Sequence, residues 1–498
     1  MNAQIVRAAA AALALLTGLP VPARAQSPSF PTLAADAPAG SGIAEPCTIQ
    51  GLEGTARCGV FRVRESRDSA GGRTLDIAFV VLNALTPERR ASDAVILLPG
   101  GPGEELIAGA VPISLGFAEV RRQRDVMVVD VRGVGRSSRL ACAVAYPGGL
   151  PSRFGTLFPL DHAQACRDSL SRRAKLDAYT TASSVDDLDE LRRWLGYSAV
   201  NLVGGSYGTR VAQVYLRRHP ASVRTMVLNG VASLAEPLYV QHAFLLQRAL
   251  DRLVAECRAD SLCRADYPDL EDRLGRLLAR FRRGPVELTI QGVPVSFGMG
   301  DLAYALRGLL YARGAELPRL IHEAADGAIL PLAEYYLERI AWAGSANDQA
   351  GYHFSVLCAE DIAPLTDEDV ARRTRGTFMG AHLIESYRAV CRSWPYARLP
   401  RSHWTPVESD VPTLLLSGGR DPVTPPESAE AVAAHLSRRV HVVVPNGGHG
   451  VGGDCILRMM SRLIATGSVE GLDTSCVAAA APTRFVRRGR SPAQMPPG

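Results

Sequence analysis

The sequence predicts an α/β fold with a mostly parallel sheet, flanked by helices and interrupted by an inserted helical block. Two observations lead to this class. Short apolar runs alternate with helical patterns in the first half of the chain, which is typical of βαβ units. From about residue 234 to 396 the pattern changes to long amphipathic helices, after which short apolar runs return. A helical block between strands of one sheet is most simply a cap over the carboxyl edge of that sheet.

Each predicted strand is a short run rich in aliphatic and β-branched residues. In chain order the strands are Leu75–Leu82, Ala94–Leu98, Val126–Val131, Val200–Val203, Thr225–Asn229, Thr413–Ser417 and Val442–Val444. Between the third and the fourth, Leu188, Leu191 and Leu195 recur at helical spacing, and Ser184 is the expected N-cap of that helix. In the helical block, apolar side chains recur every three or four positions: Phe244, Leu245, Ala249, Leu253, Leu270, Leu274, Leu277 and Leu278.

The N-terminus has the features of a secretory signal peptide. Arg7 precedes an apolar run from Ala8 to Leu19, and Ala23-Arg24-Ala25 is a small-x-small cleavage signal. This run is shorter than the roughly 20 apolar residues that span a bilayer. We therefore expect an exported protein, periplasmic or extracellular. The expected organisation is a signal peptide (1–25), a linker (26–45), a first core part (46–233), a helical cap (234–396), a second core part (397–480) and a disordered tail (481–498).

The composition is that of a globular protein with a large core, since 47% of the residues are apolar and 21% are charged. The formal charge of +5 is spread thinly, which argues against nucleic acid and anionic membranes as partners. We expect a peptide or a small molecule as the partner, no cofactor, and no membrane span. No metal is expected either, because the chain has no C-x-x-C motif and no Cys/His cluster at zinc spacing. The sequence leaves the oligomeric state open, with a monomer favoured.

The ten cysteines agree with export, because an even number in an exported chain is typical of disulfides. The sequence alone does not determine which cysteines pair. Pairing each cysteine with its next neighbour closes five short loops, and this is the pairing we expect: Cys47–Cys58, Cys142–Cys166, Cys257–Cys263, Cys358–Cys391 and Cys455–Cys476.

The first chemical motif is Gly204-Gly205-Ser206-Tyr207-Gly208, which directly follows a predicted strand and precedes a helical pattern. A G-x-S-x-G sequence between strand and helix places the serine on a sharp turn that lifts its hydroxyl above the sheet. A bare match is a weak signal in a glycine-rich chain, and the alternative is a turn that packs a helix on a strand. The flanking elements favour a nucleophilic serine.

Two later loops supply partners for that serine. Asp421 follows the strand Thr413–Ser417, and His449 follows the strand Val442–Val444. The order Ser, Asp, His, with each residue at the carboxyl end of a strand, is that of α/β-hydrolases, so we expect an α/β-hydrolase fold. His449 would take the proton of Ser206, and Asp421 would orient the imidazole.

The oxyanion that forms during acyl transfer needs two N–H donors. Pro99-Gly100-Gly101-Pro102-Gly103 follows an early strand, where α/β-hydrolases place one of the donors. We assign the two donors to the backbone of Gly101 and Tyr207. The alternative for the glycine-rich segment is a simple tight turn.

These motifs resemble those of the S33 family of serine peptidases, in particular its exported tripeptidyl-aminopeptidase-like branch, which is related to prolyl aminopeptidases. The likeness covers about residues 45–480 and makes 397–480 TAP-like. It is carried by Pro99–Gly103, Asp130–Ser137, Asn201–Thr209, Cys358–Asp361, Cys391–Pro395, Asp421–Pro425, Gly448–Gly450 and Leu472–Cys476. The prolyl branch has a histidine where this chain has Pro99, which favours the tripeptidyl branch. The resemblance implies a capped α/β-hydrolase that cleaves peptides near a free N-terminus.

Two pairs of acidic residues are candidates for binding the substrate's ammonium group. Glu104 and Glu105 follow the oxyanion segment, where the branch tends to have small residues; they could equally cap the next helix. Glu360 and Asp361 are the second pair, because the family uses acidic residues near the cap for this purpose. Their alternative is a structural role in the loop that Cys358 anchors. Thr424 is expected either to hydrogen-bond within the Asp421 loop or to form a turn.

Three functions fit these residues. The first is an exported serine exopeptidase that removes short peptides or single residues through an acyl-enzyme. The second is an esterase or amidase that uses the same triad on a small apolar molecule, since the fold does not choose between them. The third is a non-catalytic binding protein, against which the intact set of Ser206, Asp421 and His449 argues.

Overall fold

The computed structural model describes residues 30–49, 52, 56–68, 72–142, 148–346, 349–479 and 483–488. The predicted signal peptide lies outside these residues, as does the first part of the predicted linker. Within them the chain forms one large sheet with helices on both faces and a separate two-stranded hairpin. None of the helices in these ranges has the length and apolarity needed to cross a membrane.

The strands, in chain order, are β1 (Gly42–Pro46), β2 (Ala56–Arg64), β3 (Thr74–Leu82), β4 (Ala94–Leu98), β5 (Val126–Val129), β6 (Val200–Gly205), β7 (Val223–Asn229), β8 (Val286–Ile290), β9 (Val293–Phe297), β10 (Thr413–Gly418) and β11 (Arg439–Val444). The seven predicted strands correspond to β3, β4, β5, β6, β7, β10 and β11.

The helices are α1 (Ala110–Gly116), α2 (Leu160–Ser171), α3 (Thr181–Trp194), α4 (Tyr207–Arg218), α5 (Leu238–Ala259), α6 (Ser261–Asp266), α7 (Leu270–Arg283), α8 (Met299–Ala312), α9 (Leu317–Ala325), α10 (Leu330–Ala346), α11 (Ala350–Leu357), α12 (Asp367–Thr374), α13 (His382–Cys391), α14 (Pro426–Ala433) and α15 (Asp454–Thr466).

The order of the large sheet is β1-β2-β3-β5-β4-β6-β7-β10-β11. The six strands β5, β4, β6, β7, β10 and β11 are parallel to one another, and β3, β2 and β1 extend the sheet beyond β5 in antiparallel fashion. The mostly parallel sheet of the prediction is therefore confirmed. Because β6, β10 and β11 are parallel, their carboxyl ends lie at the same edge of the sheet, and so do the loops that carry the predicted triad.

Both faces of the sheet are buried. In β4, Ala94, Ile96 and Leu98 pack into one apolar layer with α3 and α4, whereas Val95 and Leu97 pack into the other with α1 and α15. A strand covered on both sides is apolar at every position, which explains why β4 is an uninterrupted aliphatic run in the sequence.

The cap consists of α5 to α13 and the hairpin β8–β9, whose turn places Gln291 and Gly292 at positive φ. The sequence indicated the helices but not the hairpin. The predicted cap began at residue 234, but in the structure residues 148–171 also pack against the cap, although they precede Ser206 in the chain. Phe154 stacks on Tyr336 at a centroid distance of 5.4 Å, and the backbone N–H of Gly155 donates to Asp301 at 2.9 Å.

Four smaller expectations need correction. The linker ends before residue 42, because Gly42–Pro46 forms the edge strand β1 on β2. The helix that carries Leu188 begins earlier than predicted, with Thr180 as its N-cap, so Ser184 lies inside it. Phe244 is 50% exposed and is not part of the buried stripe of α5.

The fourth correction concerns the tail. Residues 483–488 pack against the cap: Val486 is buried, and its carbonyl accepts a hydrogen bond from Tyr267 at 2.8 Å. The expectation of a disordered tail therefore does not hold for these six residues.

All five expected disulfides are confirmed, and none of the ten cysteines is free. The paired cysteines are 6 to 33 residues apart in the sequence.

Candidate active site

Ser206 lies on the tight turn between β6 and α4. Its backbone has φ 54° and ψ −123°, a strained conformation for a residue with a side chain. The turn is so tight that a Cβ on Gly204 would lie 2.4 Å from the carbonyl oxygen of Gly208, so a glycine is required there. The sequence motif therefore produces the strained turn that presents a nucleophilic serine in α/β-hydrolases.

The structure brings the three predicted triad residues together. The Oγ of Ser206 lies 3.0 Å from Nε2 of His449, and Nδ1 of His449 lies 2.8 Å from Oδ2 of Asp421. A histidine held in this way can accept the serine proton at Nε2, while the carboxylate stabilises the imidazolium that results.

The loop after β10 prepares Asp421 for this contact. Its Oδ1 accepts hydrogen bonds from the backbone N–H groups of Val423 and Thr424, and its Oδ2 accepts one from the Thr424 hydroxyl at 2.7 Å. The Thr424 hydroxyl also lies 3.1 Å from Nδ1 of His449. Burial by itself would raise the pKa of Asp421, but His449 and the donors of Thr424 outweigh it and hold that pKa below its ordinary value.

The predicted oxyanion segment lies beside the start of α4. A Cβ on Gly208 would lie 2.4 Å from the carbonyl oxygen of Leu98, so the first turn of α4 rests directly on the end of β4. Tyr207 is the first residue of α4, where backbone N–H groups have no partner within the helix. Gly101 has φ +102°, which a residue with a side chain rarely adopts. The fold thus brings the backbones of Gly101 and Tyr207 to the region of Ser206.

The first acidic pair lies on the same loop. Oε2 of Glu104 accepts a hydrogen bond from the backbone N–H of Gly100 at 2.8 Å. Burial raises the pKa of Glu104, while this hydrogen bond and the nearby His449 act in the opposite direction. Glu105 contacts the amide of Gln349 at 3.4 Å. Of the two, Glu104 is the one close to the triad.

The first pair does not cap the following helical turn, which was the alternative role. Asp130 does so, because its Oδ1 accepts the backbone N–H groups of Leu106 and Ile107 at 2.9 and 3.1 Å. Its other oxygen accepts the N–H of Arg136 at 3.0 Å. Burial raises the pKa of Asp130 to about 6.

The second acidic pair has structural partners. Oε1 and Oε2 of Glu360 accept hydrogen bonds from the backbone N–H and the hydroxyl of Thr181 at 2.9 and 2.7 Å. Asp361 forms an ion pair with Arg210 at 2.9 Å and accepts the N–H of Leu238 at 2.6 Å. Both carboxylates are 2% exposed or less. Contacts within the fold hold both carboxylates, which favours their alternative, structural role over binding of the substrate's ammonium group.

Comparison with known proteins agrees with this geometry. Residues 93–280 match the family described as α/β hydrolase fold, and residues 376–476 match the one described as TAP-like protein. The first stretch contains Ser206, and the second contains Asp421 and His449. The chain has the α/β hydrolase fold.

Relatives of this α/β hydrolase carry peptidase names. The serine protease Hip1 of Mycobacterium tuberculosis is 27% identical over 423 residues, 77% of this chain and 80% of that protein. The tripeptidyl aminopeptidase of Streptomyces lividans is 24% identical over 476 residues, 86% of this chain and 84% of that protein. A proline iminopeptidase of Neisseria gonorrhoeae is 30% identical over 137 residues, 28% of this chain and 32% of that protein. These relatives agree with the S33 aminopeptidase-like branch that the motifs indicated.

One buried network of the hydrolase was not predicted. The hydroxyl of Tyr207 lies 2.5 Å from the Thr181 hydroxyl, which donates to Glu360, and 3.4 Å from the hydroxyl of Tyr352. The side chain of Tyr207 is therefore anchored to the cap while its backbone faces Ser206. Only the spatial neighbours reveal this role, since the sequence shows a tyrosine inside a glycine motif.

Aromatic residues of the cap cover the site and were likewise missed. The ring of Tyr311, on α8, contacts the ring of His449 at a centroid distance of 5.2 Å. The hydroxyl of Tyr239, on α5, donates to the carbonyl of Gly101 at 3.4 Å, and Nδ1 of His353 lies 3.0 Å from the carbonyl oxygen of Pro102. An amphipathic helix gives no sign in the sequence of which aromatic side chain will meet the triad. Among the described residues, no group of three or more histidine, cysteine, aspartate or glutamate side chains is arranged to hold a metal ion.

Proposed function

We propose that this α/β hydrolase is an exported serine aminopeptidase that releases short peptides or single residues from free N-termini. The proposal rests on the carboxylate of Glu104, which has no cationic partner among the described residues. It lies beside the hydrogen-bonded triad of Ser206, His449 and Asp421. The peptidase names of the relatives support the same activity.

In the proposed reaction, Ser206 attacks the scissile carbonyl carbon while Nε2 of His449 takes the hydroxyl proton. The N–H groups of Gly101 and Tyr207 stabilise the oxyanion of the tetrahedral intermediate. His449 then gives its proton to the leaving amine, which leaves an acyl-enzyme on Ser206. Water, activated by the same histidine, hydrolyses that ester and restores the serine.

Glu104 accounts for the preference for free N-termini. Burial raises its pKa because no cation in the described part of the chain pairs with it. The ammonium group of a substrate would supply the missing charge. A blocked N-terminus would leave this half-buried carboxylate without a counter-charge, which disfavours the blocked substrate.

The proposed location is outside the cytoplasm. Five disulfides among ten cysteines are typical of an oxidising compartment. Together with the signal-peptide pattern of residues 1–25, they support export to the periplasm or beyond.

The test uses residues 26–498 and three chromogenic substrates: a tripeptidyl anilide with a free amino group, its N-blocked twin and a short-chain phenyl ester. We expect turnover of the free anilide and little or none of the blocked one. Ser206→Ala should lower kcat on the order of a million-fold, because the nucleophile is lost.

The three substrates separate the alternatives. Turnover of the ester with neither anilide would favour an esterase and overturn the peptidase proposal while leaving the triad in place. No turnover of any substrate, together with no labelling of Ser206 by a serine-directed phosphonate, would indicate a binding protein.

A further inference from the structure

Two polar side chains of the cap lie close to the triad and have atoms without partners. They are Arg307 on α8 and His242 on α5. Nε of Arg307 and Nδ1 of His242 are buried, and neither makes a hydrogen bond within the described ranges. Buried polar atoms are nearly always paired in native proteins, so two orphans beside one site require an explanation.

Arg307 differs from Arg132 and Arg210, two buried arginines whose guanidinium groups each pair with a carboxylate. Arg132 pairs with Asp187 at 2.7 Å, and Arg210 pairs with Asp361 at 2.9 Å. In the part of the chain that the structure describes, no carboxylate oxygen lies within 4 Å of Arg307. Its guanidinium instead lies over the rings of Tyr311 and Tyr304, 4.9 and 5.5 Å from their centroids.

These ring contacts stabilise the positive charge of Arg307, but they do not replace hydrogen bonds from its N–H groups to oxygen acceptors. The guanidinium is therefore held in place by tyrosines while its hydrogen-bonding capacity stays available. A planar guanidinium with available N–H donors is suited to a carboxylate, which can accept two parallel hydrogen bonds from it.

Helical spacing shows that both side chains face the triad. Arg307 precedes Tyr311 by one turn of α8, and Tyr311 contacts His449. His242 follows Tyr239 by one turn of α5, and Tyr239 donates to the carbonyl of Gly101. The rings of His242 and Tyr239 are in contact at a centroid distance of 5.0 Å.

The positive charge of Arg307 acts on His242. Burial lowers the pKa of His242, and the charges of Arg307 and His449 lower it further, so the three groups act on one another. Asp421 acts in the opposite direction, and Arg210 adds to the lowering. His242 is thus kept as a neutral imidazole, which can donate one hydrogen bond to an anion without a charge of its own.

We propose that Arg307 and His242 form a subsite that binds a carboxylate of the substrate, next to the bond that Ser206 cleaves. This inference rests on the proposed peptidase function and adds a substrate class to it. With Glu104 on the oxyanion loop and Arg307 on the cap, the site offers one charge of each sign. It fits short peptides that carry both an ammonium group and a carboxylate.

That carboxylate has two sources, an acidic side chain or the C-terminus of a short peptide. The first pair of substrates is free-amino tripeptidyl anilides with Glu or Gln before the scissile bond. The second pair is tetrapeptides with Glu or Gln after that bond, both amidated at the C-terminus. The third is a neutral tetrapeptide as its free acid and as its amide. Measurement of kcat/KM across the three pairs identifies the source.

We expect the charged member to be preferred by about 10- to 100-fold in at least one pair, the value of a charge-assisted hydrogen bond. Arg307→Gln should reduce that ratio to about 1. Arg307→Lys should restore part of it, because lysine has the positive charge but not the two parallel donors of a guanidinium. Arg313→Gln, at the end of the same helix, is the control, since Arg313 already pairs with Glu316. A wild-type ratio near 1 in all three pairs overturns the proposal, as does a ratio that Arg307→Gln leaves unchanged.

A second measurement does not depend on peptidase activity. Hydrolysis of a phenyl ester by the wild type should be inhibited by glutarate at concentrations at which the neutral glutaramide has no effect. If peptides are not turned over but this inhibition occurs, the peptidase function fails and the carboxylate subsite stands. Equal inhibition by both compounds, or none by either, overturns the subsite even if peptides are cleaved.

Discussion

The cap segment that holds Glu360 and Asp361 satisfies its charges within the fold, whereas the loop that holds Glu104 and Glu105 does not. Asp361 has a buried guanidinium as its partner, and both oxygens of Glu360 accept hydrogen bonds from Thr181. Glu104 has a single backbone donor and a raised pKa. A buried carboxylate with a full set of partners stabilises the fold, and one without them is available to a ligand. The four acids should therefore respond differently to substitution.

The largest effect is expected at Asp361. Asp361→Ala leaves the buried Arg210 without its carboxylate, which should lower the free energy of unfolding by about 3–5 kcal/mol. Chemical denaturation with the disulfides intact measures it. Asp367→Ala is the matched control, because Asp367 pairs with Arg388 at the surface and its side chain is 97% exposed. This variant should lower the free energy of unfolding by only about 0–1 kcal/mol. If the two variants are equally stable and Asp361→Ala alone loses the preference for free-amino substrates, then Asp361 binds substrate and does not stabilise the fold.

Glu104 should affect catalysis and not stability. Glu104→Gln keeps an acceptor for the N–H of Gly100 but removes the charge, so kcat/KM for free-amino substrates should fall by about 100-fold. Hydrolysis of a phenyl ester should change little. Because ionisation of a group with a raised pKa costs folding free energy, the free energy of unfolding near pH 7 should not decrease.

The pH dependence of the same variant sharpens the test. In the wild type, the ratio of kcat/KM for the free anilide to that for the ester should rise with pH as Glu104 ionises. His449 affects both substrates and so cancels in this ratio. The rise should be absent in Glu104→Gln; if it persists there, another group binds the ammonium.

Glu360 should contribute a smaller, pH-dependent part of the stability. Burial would raise its pKa, but His403 and Thr181 outweigh burial and lower it from the ordinary 4.5. A carboxylate with a lowered pKa stabilises the fold above its ordinary pKa, and this stabilisation is lost as the pH falls through the lowered value. Glu360→Gln should therefore cost about 1–2 kcal/mol near pH 7 and less below pH 4.5. Urea denaturation at several pH values, with Glu385→Gln as a surface control, measures the difference.

The smallest effect is expected at Glu105. Among the described residues, the side chain of Glu105 accepts a hydrogen bond from the amide of Gln349 at 3.4 Å, and its charge helps to raise the pKa of Asp130. Glu105→Gln should leave kcat/KM nearly unchanged and alter stability by no more than about 0.5 kcal/mol. A loss of selectivity as large as that of Glu104→Gln would show that the two glutamates act together.

The sequence predicted the strands that bear the triad and the triad order, because each signal is local: an apolar run, then a turn residue. It also predicted the disulfides, which connect neighbours along the chain. The role of Asp361 was out of reach, since Arg210 is 151 residues away and only the fold brings the two together. The same holds for residues 148–171, whose pattern does not reveal that they pack on the cap. Strand β2 was missed because its polar residues interrupt the apolar run.

The disulfides have a consequence for how the two halves of the site are joined. Cys257–Cys263 and Cys358–Cys391 lie within the cap, Cys142–Cys166 closes the segment that packs against it, and the other two lie in the core. No covalent cross-link therefore connects α5–α13 to the sheet that carries Ser206. Cys142–Cys166 ties residues 148–171 to the chain that follows β5, but the junction between α5–α13 and the sheet depends on reversible contacts, such as those of Tyr239 and His353 with the 101–102 backbone. Reductants should accordingly loosen the attachment of residues 148–171 without altering the contacts that hold α5–α13 against the sheet.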